Sequence, residues 1–410
     1  MEILLEIYTE QMRAGLKKQP SSLKMIPTFI EATKKIPRNK PVVAIDAGGT
    51  HFRCASICFN QSSKPEIRAI TSKPMPGLQK EVSTQAFFSQ MAHYLKPVIK
   101  ESASLGFCFS YPVQILPNKD GILLQFSKEI KAPDVVGKKI GEHLLQALKN
   151  EGFQQTKKIV ILNDTVATLL AGMFNTTDRY YDNYMAFILG TGTNTAYIEK
   201  NENLDDQAQG DTGRQIINVE SGGFTQIPLT PVDRKFLKST QEPENYLIEK
   251  MMSGAYFGPL TLNYLKEAKE LFSLITIKKI DQIEELSGLD LTLFLANPIK
   301  SQSVLSSMFQ TMTESDKELL FQIINFLLQR AAYYSALTIC APIIFNKLPK
   351  TYNSCFIACD GSAIEKIFSL NERIKRYLSQ ELTEKRSIYY HMRIVENASL
   401  IGAAMAGLTN

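Results

Sequence analysis

Three stretches of this 410-residue sequence place chemistry-bearing residues at the ends of apolar runs. The first is "VVAIDAGGTHFRCASICF", from Val42 to Phe59. Gly48 and Gly49 stand side by side after Asp46, so the backbone can approach a ligand closely and successive amides can form a nest for an anion. Thr50 adds a hydroxyl and Arg53 a positive charge to the same oxyanion. A Gly-Gly hairpin that holds no ligand would use the same residues. The second stretch, "NYMAFILGTGTNTAYIEK", repeats the plan around Gly190, Thr191 and Gly192. Two such turns on matching strand pairs, facing each other across a cleft, suit a polyphosphate. Neither follows G-x-x-x-x-G-K-[ST], and no G-x-G-x-x-G opens a helix after a strand, which disfavours a Walker nucleotidase and a Rossmann dehydrogenase.

The third stretch is "KIVILNDTVATLLAGMF", where Asp164 follows a buried apolar run and opens a helix. Aspartate is a good N-cap there, and a carboxylate at a strand end is equally placed to act as a general base toward a hydroxyl. Asp46 also follows four apolar residues, an expensive place for a carboxylate without a cation or donors. A Mg²⁺ bound largely through water and bridging to ATP phosphates would account for it, as would simple capping of its own turn.

The elements that must position these residues follow from hydrophobic periodicity. "VVAI", "FRCASICF" and "KPEIRAITSKP" read as three strands, followed by a helix over "STQAFFSQMAHYLKPVIKE" with a cap at Ser83-Thr84. "ASLGFCFSYP" and "GILLQFS" are further strands, and "VGKKIGEHLLQALKNEG" is an amphipathic helix ending at Gly152. The amino terminus reads as one helix, with a second helical segment ending near "KKIPRNKP", a basic, proline-containing link into a new domain. The recurrence of strand, glycine turn, strand predicts a duplicated architecture with one copy in each domain. The chain after the second turn is mostly helical, apart from the strand-to-helix unit "SCFIACDGSAIEKIFSL" and a closing small-residue helix, "SLIGAAMAGL".

Composition bounds the class: 44% hydrophobic and 21% charged residues suit a chain that buries a large core, and the length favours two domains. A net charge of +5, spread along the chain, suits an anionic small substrate and does not argue for nucleic acid. No apolar run reaches membrane-spanning length and no secretory leader is evident, so the expected location is the cytoplasm. The six cysteines, Cys54, Cys58, Cys108, Cys340, Cys355 and Cys359, sit in apolar runs and read as reduced structural thiols.

With these residues in view, the sequence resembles the eukaryotic-type hexokinases, the family that includes glucokinase, within the actin-like ATPase superfamily. "SLKMIPTFI" resembles S-L-K-M-L-P-T-F-V, and "AIDAGGTHFR" the phosphate segment D-x-G-G-T-N-x-R. "GFCFSYPV" with "GILLQFSKEI" resembles the sugar segment F-S-[FY]-P followed by G-I-L and a [ST]-K pair. "LNDTVATLLAG", "LGTGTNTAYIEK" and "INVESGGF" resemble N-D-T-V-x-T, G-T-G-x-N and N-x-E-x-G-x-F. "IEKMMSGAYFG" matches E-K-x-x-S-G-x-Y-x-G, and "IACDGSAIEK" the adenosine-side D-G-S. The resemblance runs in order over nearly the whole chain.

The resemblance implies an α/β protein of the two-domain actin-like ATPase (ribonuclease H-like) fold, with mixed sheets flanked by helices and an interdomain cleft. Residues 42–162, completed by a last helix at 398–410, would form the small domain, and residues 1–41 with 163–397 the large one. It implies an ATP-dependent hexokinase that phosphorylates the 6-hydroxyl of glucose and related hexoses, the first step of glycolysis. Asp164 would be the base and Lys128 would stabilise the transferred phosphoryl group. Ser110, Ser127, Lys128, Asn163, Asp164, Asn194, Glu220 and Glu249 would hold the sugar. Asp46 would belong to the Mg²⁺ environment through water, while Gly48, Gly49, Thr50, Arg53, Thr191 and Gly192 would serve the ATP phosphates, with Gly361 and Ser362 near adenosine. His51 stands where the family usually has Asn, "IVENASLIGAA" replaces a glycine-containing segment, and Pro259 occupies a position where Glu is common and would restrict the local helix. A non-catalytic sugar sensor on the same fold is the alternative. A repressor-related bacterial sugar kinase is disfavoured, because its usual cluster of cysteines and histidine is missing from the sequence.

Overall fold

The glycine turns at Gly48 and Gly190 each close an antiparallel hairpin, and each hairpin seeds a sheet of the same design. The computed structural model describes residues 1–32, 36–62, 64–126, 130–155, 158–174, 180–205, 213–346 and 351–410. The chain begins with α1 (Glu2–Leu16), which buries Leu5, Tyr8, Met12 and Leu16 along one stripe. The helical segment expected next is not formed among the described residues up to 32. Instead Ile26–Pro27 make a two-residue strand, β1, at a sheet edge, where a proline without an N–H is tolerated. Met25 and Phe29 take left-handed φ values of 46° and 55°, and the Thr28 amide donates to the Ile216 carbonyl at 3.3 Å. Helical periodicity is overridden there by pairing with a distant strand.

The first sheet follows: β2 (Val42–Gly48), β3 (His51–Phe59), β4 (Pro65–Pro74), β5 (Ser104–Phe109) and, beyond a ribbon of β6 (Val113–Ile115) and β7 (Gly121–Leu123), β8 (Lys158–Leu162). α2 (Thr84–Leu95) and α3 (Ile140–Asn150) flank it. The Ser83 hydroxyl caps α2 by accepting from the Ala86 amide at 3.3 Å, as its position predicts. α4 (Asp164–Phe174) leads into the second sheet, made of β9 (Asn183–Leu189), β10 (Thr193–Lys200), β11 (Arg214–Asn218), β12 (Ser354–Asp360) and β13 (Tyr389–Ile394).

The first sheet has the order β4-β3-β2-β5-β8, and the second, leaving aside β1 at its edge, β11-β10-β9-β12-β13. In both, three antiparallel strands are extended by two parallel ones. The duplication expected from the two turns is thus present down to strand order. Between β11 and β12 the chain inserts a helical layer: α5 (Pro231–Lys238), α6 (Leu247–Met252), α7 (Gly254–Glu267), α8 (Leu274–Asp281), α9 (Gly288–Ala296), α10 (Val304–Phe309) and α11 (Glu314–Phe345). Pro259 lies on the exposed side of α7, and the helix continues through it to Glu267. α12 (Ser362–Lys366) and α13 (Leu370–Leu378) precede β13, and α14 (Ala398–Thr409) ends the chain.

α14 packs on β2, β5 and β8 of the first sheet, α4 packs on β9, β10 and β12 of the second, and the two helices pack on each other. We propose that the first sheet with α14 is the smaller domain and the remainder the larger. All six cysteines are buried and none is joined in a disulfide. Among the described residues, no helix is long and apolar enough to cross a membrane.

Backbone meets backbone where α14 is docked. A Cβ at Gly106 would lie 1.6 Å from the Ala403 carbonyl oxygen, and one at Gly402 would lie 2.0 Å from that of Ala167. Gly106→Ala and Gly402→Ala are therefore expected to cost about 2–5 kcal/mol each by forcing these elements apart. Gly213→Ala, whose Cβ meets nothing within 4 Å, should stay within about 0.5 kcal/mol of the parent. Urea unfolding of the three variants checks this, and equal midpoints would contradict it.

Candidate active site

The β2–β3 register sets Asp46 opposite Arg53. Arg53 Nε donates to Asp46 Oδ2 at 2.9 Å, and Nη2 donates to the same oxygen. Asp46 is 8% exposed. Burial raises its carboxyl pKa above the usual range, and the neighbouring guanidinium opposes that shift. Arg53, expected to supply charge to an oxyanion, pairs here with Asp46, because the strand register places the carboxylate within its reach, and its side chain stays about a third exposed. At the hairpin tip Gly49 has φ 63°, a left-handed value that favours glycine, and its carbonyl accepts from the Tyr111 hydroxyl at 2.8 Å. A Cβ at Gly48 would come within 3.0 Å of the Ser110 side chain, so Ser110 lies directly against this turn. Thr50 is exposed, with Oγ1 2.9 Å from His51 Nδ1.

The second turn is braced from below. The Gly254 amide at the start of α7 donates to the Gly190 carbonyl at 2.8 Å, and the Ala255 amide to that of Thr191 at 3.2 Å. Glu249 of α6 accepts from the Thr193 amide at 2.9 Å, and a Cβ at Gly192 would lie 2.6 Å from its Oε2. The next strand end is pressed against the same turn: Gly361 has φ 115°, and a Cβ there would be 2.5 Å from the Leu189 carbonyl. Ser362 is exposed at the first position of α12. Asp360 accepts from the Gly361 amide at 2.7 Å. Its pKa is raised chiefly by burial, opposed by that amide, with Glu365 and Asp46 adding and Arg53 opposing. Asp360 of the second sheet and the Asp46–Arg53 pair of the first therefore share one field.

Asp164 stands at the junction of the two halves, where β8 passes into α4. Its Oδ1 and that of Asn163 both accept from the Thr165 amide at 2.8 Å, so both residues cap the helix start. Asp164 keeps part of its surface accessible, while the surrounding protein removes most of its solvation. Burial pushes its pKa up to about 6; the Thr165 amide opposes, and the charges of Asp46, Glu220 and Asp360 add to the rise. A carboxyl with that pKa is ionised at neutral pH yet basic enough to accept a hydroxyl proton.

Beside it lies a polar network. Asn194 Nδ2 donates to Asn218 Oδ1 at 2.8 Å and to Glu220 Oε1 at 3.1 Å, and Asn218 Nδ2 donates to the same Glu220 oxygen at 2.7 Å. Asn194 Oδ1 accepts from the amides of Thr195 at 2.7 Å and Ser221 at 3.2 Å. Glu220 is held at φ 56°, a conformation uncommon for a residue with a side chain. Burial raises the pKa of Glu249, the Thr193 amide opposes, and Glu220 adds to the rise. A fixed set of carboxylates and amides of this kind matches a ring of hydroxyls, each both donor and acceptor.

Ser127 and Lys128 lie outside the described residues. Three contributors escape a reading of the sequence. Asn218 braces Asn194 and Glu220; its signal was the N-x-E spacing in "INVESGGF". Asp360 had its place in the D-G-S turn but no assigned role. Tyr8 of α1 is buried with its hydroxyl toward Thr195 and Ser221, directly behind the network, and none of the three side-chain hydroxyls makes a well-aligned hydrogen bond. A helical stripe residue gives no sequence signal for that position.

Among the described residues there is no group of three metal-ligating side chains that could hold an ion by themselves. Asp46 and Asp360 are instead near enough to Asp164 for their charges to raise its pKa, and Asp46 likewise raises that of Asp360. That arrangement fits a Mg²⁺ held by phosphate oxygens and water, with the carboxylates in outer contact.

Residues 3–174 and 184–409 each match a family model described as Hexokinase. Hexokinase-10 of Oryza sativa subsp. japonica is 27% identical, over 96% of this chain and 84% of that protein. Glucokinase-1 of Kluyveromyces lactis is 29% identical, over 99% and 94%. The solved hexokinase from Schistosoma mansoni complexed with glucose shares the fold at a TM-score of 0.78 and 23% identity, covering 98% of this chain and 94% of that one.

The field around Asp164 has a thermodynamic consequence. Its folded pKa, about 6, lies above the ordinary value of 3.8, so between these two the unfolded chain carries fewer protons and stability falls as pH rises. Asp164→Asn removes that cost. The variant is expected to be more stable than the parent by about 1–3 kcal/mol at pH 8, with the gap closing toward pH 4. Denaturant unfolding at both pH values tests this; a pH-independent difference would contradict it.

Proposed function

The chain belongs to the hexokinase family, and we propose that it transfers the γ-phosphoryl group of ATP to the 6-hydroxyl of a hexose, with glucose the preferred substrate. The observation that supports this most directly is Asp164, desolvated beside a hydroxyl-matching network and in the same field as both glycine turns. The two-domain actin-like ATPase fold supplies that convergence, since the turns come from equivalent hairpins of its two sheets.

In the proposed reaction Asn194, Glu220 and Glu249, with Asn163, Ser110 and Ser127, orient the sugar so that its 6-oxygen points at the γ-phosphorus. Asp164 accepts the hydroxyl proton as the new O–P bond forms, and the bond from the γ-phosphorus to the β-γ bridging oxygen breaks to release ADP. The backbone of Gly48, Gly49 and Thr50 faces one side of the phosphate chain and that of Thr191 and Gly192 the other. Arg53 acts through Asp46, fixing the carboxylate nearest the first turn. Mg²⁺, when bound with ATP, neutralises charge on the phosphates, and Asp46, Asp164 and Asp360 are the residues that would face its water shell. Lys128 is assigned to the charge that develops on the transferred group. Gly361 and Ser362 lie beside the second turn, on the side where adenosine would extend. Phosphoryl transfer is mostly positioning and electrostatics, so this division of roles is sufficient. Closure of the cleft on sugar would exclude water as a competing acceptor.

A coupled assay for ADP and sugar 6-phosphate, with glucose, mannose, fructose and N-acetylglucosamine in turn, tests the reading. Asp164→Ala is expected to lower kcat about 10³-fold or more while glucose binding, followed by intrinsic tyrosine fluorescence, changes only a few-fold. Glucose binding by the parent protein without product would instead fit a non-catalytic sensor. For the parent enzyme, kcat/KM should fall about tenfold per pH unit below about pH 6, as the Asp164 carboxylate takes up its proton. A rate unchanged down to pH 4.5 would rule out Asp164 as the base.

A further inference from the structure

Behind the polar network lie three hydroxyls that the proposed reaction does not use. Successive residues of a strand point to opposite faces, so β10 turns Asn194 toward the site and Thr195 away from it. Its further residues follow the same alternation: Ala196 packs in the core with α4, and Tyr197 in the core with Tyr8 of α1. On that rear side the Tyr8 hydroxyl faces the hydroxyls of Thr195 and Ser221. All three residues are fully buried, and none of the three oxygens makes an aligned hydrogen bond. The Tyr8 ring packs on Phe224 with centroids 4.6 Å apart, which holds the phenol at this spot.

The two hydroxyls that Tyr8 faces each belong to the residue after one assigned to the sugar: Thr195 follows Asn194, and Ser221 follows Glu220. From the front, Asn194 Oδ1 accepts from both of their amides, Thr195 at 2.7 Å and Ser221 at 3.2 Å, while its Nδ2 donates to Glu220 at 3.1 Å. The Val219 amide donates to the Thr195 carbonyl at 2.9 Å. The backbone that carries Asn194 and Glu220 therefore carries the Thr195 and Ser221 hydroxyls with it. Buried hydroxyls without partners cost free energy, and a small backbone shift that aligned these three would recover it. A sugar hydroxyl gripped by Asn194 and Glu220 together supplies such a shift, because it draws the two segments toward each other.

We propose that Tyr8 is a positioning residue for the sugar: its hydroxyl closes a hydrogen-bonded chain with those of Thr195 and Ser221 when a hexose occupies the network, and so favours the bound arrangement over the empty one. This rests on the assignment of Asn194 and Glu220 to the sugar. An interaction made only in the bound arrangement adds to affinity and nothing to the stability of the empty protein. An ordinary core contact does the reverse, which separates the two roles.

Tyr8→Phe keeps the ring and removes the oxygen, and Thr195→Val removes the partner hydroxyl while keeping the shape and the amide. Isothermal titration of the full chain with glucose, without nucleotide, should show binding weakened about three- to tenfold in each variant. The double variant should bind no more weakly than the weaker single one, because both changes break the same hydroxyl chain. The sugar-free melting temperature of Tyr8→Phe should equal or exceed that of the parent, and its KM for ATP should be unchanged. Undiminished glucose affinity in Tyr8→Phe, additive losses in the double variant, or a loss of affinity that comes with a lower sugar-free melting temperature would each overturn the proposal while leaving the hexokinase reading intact. Parent protein that neither binds glucose nor yields product would instead overturn that reading, and this inference with it.

Discussion

The contact between α4 and α14 is the constraint on which the rest of the molecule depends. Each helix packs chiefly on a different sheet, so their contact is the largest link between the two halves. Gly402 lets α14 rest on the backbone of α4 at Ala167, and Gly106 with Gly407 lets the same helix rest on β5. Packing this close leaves no room for even a methyl group, which makes the spacing of the sheets a property of backbone rather than of adaptable side chains. Because α4 begins at Asp164, the same contact fixes where the carboxylate stands relative to both glycine turns.

Given that placement, the electrostatics of the site follow. Asp46 and Asp360 are brought toward Asp164 by strands of the two similar sheets, while Glu220 follows β11 and Glu249 is carried in by α6. Asp46, Asp360 and Glu249 are desolvated, and each of the four has a compensating donor: Arg53 for Asp46, backbone amides for Asp360 and Glu249, two asparagine amides for Glu220. The compensation is incomplete, as the raised pKa values of Asp46, Asp164, Asp360 and Glu249 show. Incomplete compensation is the usual condition of a site prepared for a ligand that brings hydroxyls, phosphates and a cation of its own.

The parts of this arrangement that depend on local chemistry were legible in the sequence. Paired glycines after an apolar run mark both turns, and an acid at the end of such a run marks Asp46 and Asp164, because few other roles justify a carboxylate there. The repeat of strand, turn, strand predicts two matching sheets, and both have the same strand order. What escaped depends on elements brought together from far apart. The segment around Ile26 reads as helix until β11 offers it an edge, the pairing of Arg53 with Asp46 exists only through strand register, and Tyr8 shows nothing beyond a helical stripe until α1 is placed behind Thr195 and Ser221.

The central claim is that convergence of the two halves gives Asp164 the protonation behaviour a base at this position needs. The most direct measurement is the carboxyl band of Asp164 itself, from infrared difference spectra of the parent minus Asp164→Asn between pH 4 and 8. A protonated carboxyl signal that disappears with a midpoint near pH 6 is the predicted result. A midpoint near the ordinary aspartate value would show that the surrounding carboxylates and burial do not act on Asp164 as described, and would contradict the account.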